Sequence, residues 1–161
     1  MDWWTRHVGH TSDYAKAVKG KDTLQKLSAF MHLVDGVAQW GQIIAKKTVP
    51  HNGIIGHGLM AEHVIGAKLL ADRTPVADQA MMNAGLNLLA ANADAQATFL
   101  AAAIPGFPYA EFRKLLGVHL EATNGYIGDI TAVDEPSFHG HMAAARKNAM
   151  DLDQFTEKNL L

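Results

Sequence analysis

Cysteine is absent from the 161 residues. That excludes disulfides, thiolate catalysis and cysteine-ligated zinc or iron–sulfur sites, and leaves His, Asp and Glu to hold any metal. Positive charge is scarce as well. Fourteen Lys and Arg stand against sixteen Asp and Glu, and Lys46-Lys47 and Arg146-Lys147 are isolated doublets. Nucleic acid needs a basic stripe, so no nucleic-acid partner is expected. Long apolar runs are missing too: the most apolar stretches carry His57, Glu62 and His63, or Asn92, Asp94 and Gln96. Neither reads as a membrane span, and no membrane partner is expected. The opening residues Met1-Asp2-Trp3-Trp4-Thr5-Arg6 have an acid and no apolar run behind it, unlike a signal peptide. The expected location is the cytoplasm. Period-two alternation of useful length does not occur, which argues against a sheet. Glu-x-x-His, His-Glu-x-x-His, a Walker loop and Gly-x-Ser-x-Gly are also absent, and each absence excludes its own class of site.

What is present belongs to a globular protein: 48% of residues are hydrophobic and 19% charged. The length suits one domain over residues 1–161, with residues 1–20 as an N-terminal arm or short helix. Asp22 and Gln25 have capping-box spacing, and a helix follows over residues 23–47. Leu24, Leu27, Phe30, Met31, Val34, Val37, Ala38, Gly41 and Ile44 recur along it at helical steps as one apolar stripe. A second helix is expected over 54–72. A third is expected from the cap and first-turn proline at Thr74-Pro75 to residue 104. Pro105 to Pro108 end it, a fourth spans about 109–133, and Asp134-Glu135-Pro136 opens a fifth. Short connections favour antiparallel neighbours, so the expected fold is all-α, an up-and-down bundle of four to five helices.

Projection at 100° per residue separates interior polar residues from surface ones. On the fourth helix, His119 lies at the centre of a face formed by Phe112, Leu116, Thr123, Tyr126 and Ile127. On the second, Glu62 shares a face with Ile55, Leu59, Gly66 and Leu69, with His63 on its flank. Gln96 projects inward from the third. A buried carboxylate needs a partner, and His119 is the natural one for Glu62 if the second and fourth helices are neighbours. Such a pair serves either as a catalytic or metal-binding couple or as a polar plug that sets helix register. His32 falls on the polar side of its helix. His7 and His10 have i, i+3 spacing and could share a metal if that arm is helical, but the flanking tryptophans indicate instead an arm held down by aromatic burial. His139 and His141 face opposite ways and make a weak chelate.

Two segments resemble the DinB/YfiT family of four-helix bundles. From Ile54 to Val64, His57 precedes Glu62 by five positions, as a metal-ligand His precedes a Glu in that family. Tyr126-Ile127-Gly128-Asp129-Ile130 is similar to the end of its later His-bearing helix. The resemblance implies a divalent metal held by three histidines between helices, the first at His57. The other two positions fall at Val118 or Ala122 and at Tyr126, and His119 stands one position out of that register. It also implies metal-dependent transferase or isomerase chemistry and pairing as homodimers.

The functional expectation is a small-molecule enzyme with its site in the bundle core. His57, His119 and His63 are the candidate ligands for zinc or nickel, Glu62 the acid–base group, and Tyr126 a proton donor or orienter. A second expectation is a non-catalytic bundle, either a cavity for an apolar ligand or haem or a structural homodimer without the metal. The third helix bears only Asp78 and Asp94 between residues 76 and 104. An outer bundle helix should have a charged face. Ala91, Ala95 and neighbouring alanines are therefore expected at a homodimer interface.

Overall fold

Two adjoining residues make the first corner of the molecule. Helix α1 (Trp3–Gly20) ends at Lys21, which adopts the left-handed conformation with φ 56°. The N–H groups of Lys21 and Asp22 then turn back to the carbonyls of Val18 and Ala17, at 3.2 and 2.9 Å. This arrangement satisfies the last carbonyls of the helix. The Asp22 carboxylate in turn accepts from the Gln25 N–H at 2.9 Å and caps α2 (Thr23–Lys47), the cap its spacing predicted.

The computed structural model describes residues 2–73, 78–132 and 135–161. After α2 come α3 (Pro50–Arg73), α4 (Gln79–Ala103), α5 (Tyr109–Ala132) and α6 (Glu135–Leu160). The fold is all-α, and no strand occurs among the described residues. Among the described residues six helices stand where four to five were expected, because residues 3–20 form a full helix. Helix α3 begins four residues early, at Pro50, where a missing N–H costs nothing. The cap expected of Thr74-Pro75 lies outside the described residues, as does Asp134. Within them, Asp78 caps α4 by accepting from the Met81 N–H at 3.1 Å. No helix among the described residues is long and apolar enough to cross a membrane.

Successive helices pack as neighbours, and α1 closes the ring between α6 and α2. Helix α1 also leans inward against both α3 and α5, which barely touch one another. The expectation that the second and fourth predicted helices, here α3 and α5, pack side by side is therefore corrected. The cause is the aromatic face of α1, where Trp3, Trp4, Val8 and Tyr14 must be buried and take the space between them. The core continues through Trp40, Phe112, Leu116, Tyr126 and Leu152. On α2 only one edge of the predicted stripe turns inward. Val37, Gly41 and Ile44 of it are buried, beside Ala29, Leu33 and Trp40 that the stripe did not include, while Leu24, Leu27, Met31, Val34 and Ala38 lie outside. Helix α4 packs mainly on α3 and α5 and leaves Ala91 and Ala95 exposed.

What seats α1 is a carboxylate from the far end of the chain. Asp2 makes no side-chain cap. Instead Asp153 of α6, itself buried, accepts from the Trp4 N–H at 2.8 Å and from the N–H and hydroxyl of Thr5 at 3.2 and 2.8 Å. A buried anion at a helix N-terminus meets both the free N–H groups and the positive end of the dipole. The Trp4 indole N–H donates to Thr156 at 3.2 Å, and that of Trp3 to the Gly36 carbonyl at 3.0 Å. Asp153→Ala should leave those N–H groups buried and unpaired, costing about 3 kcal/mol. Chemical denaturation should show the loss together with a red shift of tryptophan emission. An unchanged midpoint would contradict the anchoring role.

Candidate metal centre

The seating of α1 carries His7 into the core one turn beyond the tryptophans. There it meets His63 from α3 and His119 from α5. The three ring centroids form a nearly equilateral triangle, with sides of 5.4 Å (His7–His63), 5.7 Å (His7–His119) and 5.5 Å (His63–His119). Each ring offers a nitrogen, and these nitrogens lie within 4.8 Å of one another. Exposure is 5% for His7 and 1% for the other two. Aromatic rings wall the cluster. Trp3 stacks on His7 at 5.3 Å and an interplanar angle of 5°, and Trp4 stands edge-on to both His7 and His119. Trp40 closes against both tryptophans.

Such surroundings oppose a charged imidazole. Burial lowers the pKa of His63 to about 4, and burial with the neighbouring His63 lowers His119 to about 3. His7 is held well below its ordinary value by burial first, then by the neighbouring His63, His119 and His10. All three are therefore neutral at neutral pH, the form in which imidazole binds metal. Nδ1 of His63 and Nδ1 of His119 are buried with no hydrogen-bond partner among the described residues. A buried polar atom left so is costly, and ligation or a ligand-linked hydrogen bond would satisfy it. Tetrahedral ligation at about 2.0–2.1 Å sets the nitrogens about 3.4 Å apart, so a swing of the rings by about an ångström suffices. The residues present fit a three-histidine transition-metal site.

A layer of hydroxyls adjoins the cluster. Thr11 and Thr123 stand four residues beyond His7 and His119 on the same faces, and both are buried. They flank the fully buried Tyr126 hydroxyl, which does not close a hydrogen bond to a described residue. Burial raises the Tyr126 phenol, an effect that Thr123 and then Thr11 partly offset, so it stays protonated.

Of the residues singled out from the sequence, His63, His119 and Tyr126 lie in this region of the core. His57 does not: it is exposed on α3, almost two turns before His63. Glu62 is exposed as well, and accepts from the Asn92 amide at 3.3 Å rather than facing His119. The inward face of α3 is instead Met60, His63, Val64, Ala67 and Leu70. The projection chose the wrong centre because Ile54, Ile55 and Ile65 are apolar yet exposed, whereas glycines occupy part of the buried face. Gln96 is buried as expected and donates to Asn92 at 2.7 Å. His7 is the residue that sequence reasoning passed over; its placement four residues after Trp3 and Val8's neighbour on an aromatic face was the available signal. No family model, curated protein or solved structure matches the chain.

The buried neutral histidines imply acid sensitivity of the metal-free protein. In the unfolded chain they titrate near ~6.5, whereas in the fold they resist protonation until well below that value. Their contribution to stability is complete above about pH 6.5 and is lost as pH falls toward the folded values, by up to ~1.4 kcal/mol per pH unit for each histidine. With a chelator present, the denaturation midpoint should drop steadily from pH 7 to pH 5, and His119→Phe should flatten the drop. A midpoint indifferent to pH over that interval would contradict this electrostatic picture.

Proposed function

We propose that His7, His63 and His119 bind one divalent transition-metal ion, zinc or nickel. On this reading the chain is a metal-dependent transferase or hydrolase of a small molecule, built on DinB/YfiT-like lines. The observation that carries it is the convergence of three neutral imidazoles, from three helices, on one buried point. Imidazole suits zinc and nickel, whereas calcium takes six or more oxygens. A metal with three protein ligands keeps a position for substrate and acts there as a Lewis acid.

The chain's own groups set the surroundings of such an ion. No carboxylate joins the histidine cluster among the described residues, so the cluster itself would not offset the charge of a bound ion. His7 also lines a recess of about 100 Å³ between α1 and α2, with Arg6, His10, His32, Asp35 and Gln39 around it. Arg6 at its mouth is already engaged, by the Asp2 carboxylate at 3.2 Å and the Gln39 amide oxygen at 3.3 Å. Tyr126, a protonated phenol, would donate a hydrogen bond or a proton from the other side. Glu62 and His57 have no part in this reading.

A second reading, a metal-free and non-catalytic core, is favoured by the close stacking of Trp3 on His7 and the edge-on packing of Trp4. Metal content decides between them. After incubation with zinc or nickel and removal of excess, the protein should retain about one ion per chain. His63→Ala and His119→Ala should each lose it, and His57→Ala should not. Retention far below one ion per chain, or loss on changing His57 alone, would sink the proposal.

A further inference from the structure

One face of the bundle has the residue pattern of an interior and points outward. On α2, Leu24, Leu27, Met31 and Val34 are 79, 58, 51 and 40% exposed, and Ala38 continues the row. Their steps of three and four are the spacing of a helix that packs along another helix. Beside them on α3, Ile54 and Ile65 are 70 and 49% exposed, with Gly58 and Ala61 between them at the same steps. The two rows form one surface because the helices nearly touch. A Cβ on Gly41 would stand 2.8 Å from the Gly53 carbonyl oxygen, an approach only glycine permits. A groove lined by Phe30, Val34, His57, Ala61 and Ile65 joins the rows.

We propose that a second copy of this chain covers this face, its α2 antiparallel to the first about a two-fold axis at Met31. The shape favours a copy over another partner. A two-fold interface must be complementary to itself. Leu24 and Ala38 each lie seven residues from Met31, so the axis brings the most exposed knob, Leu24, onto the second copy's Ala38. There the surface is hollow: Ala38, Gly41, Ala45, Gly53 and Ile54 line a recess of about 370 Å³. Knob and hole thus stand at opposite ends of one row, at equal distances from its middle.

Area and edge agree. The six large side chains leave on the order of 600 Å² of apolar surface, at the upper end of what monomers expose. A pair would cover on the order of 1,200 Å², enough for a specific interface. Ser28 and Asp35, seven residues apart and both exposed, border the row on the side of α1 and supply a polar rim, and Gln42 stands at the edge of the recess. The exposed face of α4 intersperses Ala84, Ala91 and Ala95 with Asn83, Asn87 and Asp94, so the proposal places the interface on α2 and α3.

The absence of cysteine makes the test clean. Light scattering at micromolar concentration should give a dimer mass. Met31→Lys should raise the dissociation constant at least a hundredfold while far-UV circular dichroism stays unchanged; Ala91→Lys on α4 should leave the dimer intact. Met31→Cys should link to itself under mild oxidation. Leu24→Cys should not do so alone, but should link when combined with Ala38→Cys. A monomer at that concentration would overturn the proposal. So would a dimer that survives Met31→Lys, one broken only by Ala91→Lys, or cross-linking of Leu24→Cys by itself.

Discussion

The seating of α1's first turn is the interaction on which the rest of the structure depends. Two tryptophans and a histidine enter the core together, and their backbone N–H groups enter with them. Burial of the rings supplies the driving force, several hundred Å² of apolar area on a short stretch of helix. The Asp153 carboxylate makes that burial possible by satisfying the N–H groups that the helix cannot satisfy itself. Residues 149 positions apart are thereby joined at the hinge of the site. Without that clamp α3 and α5 would have nothing between them, and His63 and His119 would lack their third member.

A fold and a site so coupled share one electrostatic condition. The histidine cluster is stable only while its rings are neutral, because aromatic walls and mutual proximity both penalise a proton. The same neutrality makes the rings good ligands for a transition metal. A bound ion and a bound proton would therefore compete for the same nitrogens, and both would act on the stability of α1's seat. At the far end of α1 the hydroxyl of Tyr14 donates to Asp72 at 2.9 Å, and Lys26 of α2 reaches the same carboxylate. Helix α1 is thus tied by an acid at each end, and the cluster lies between the ties.

Much of the architecture was legible in the sequence, for physical reasons. The Asp22 cap, the end of α2 near Lys47 and the Pro105–Gly106 break are local, and local chemistry decides them. His119 was legible because α5 has a single apolar face with a polar residue at its centre. Glu62 was misread because α3 has no such face: its isoleucines point outward, while Gly53, Gly56 and Gly66 are buried. The stripe on α2 was read as one surface, although it serves two, its inner edge in the core and its outer edge exposed. His7 was weighed only with His10, because its meeting with His63 and His119 depends on Asp153, a long-range partner that no periodicity encodes.

The central claim is that α1 completes a three-histidine metal site. Cobalt(II) tests it most directly, since it takes the place of zinc and its visible absorption reports coordination number. One equivalent should produce the intense bands of a four-coordinate ion, saturating at one cobalt per chain. His7→Ala should abolish them in a protein whose helical circular dichroism is unchanged. Weak six-coordinate bands, or strong bands that persist in His7→Ala, would contradict the account.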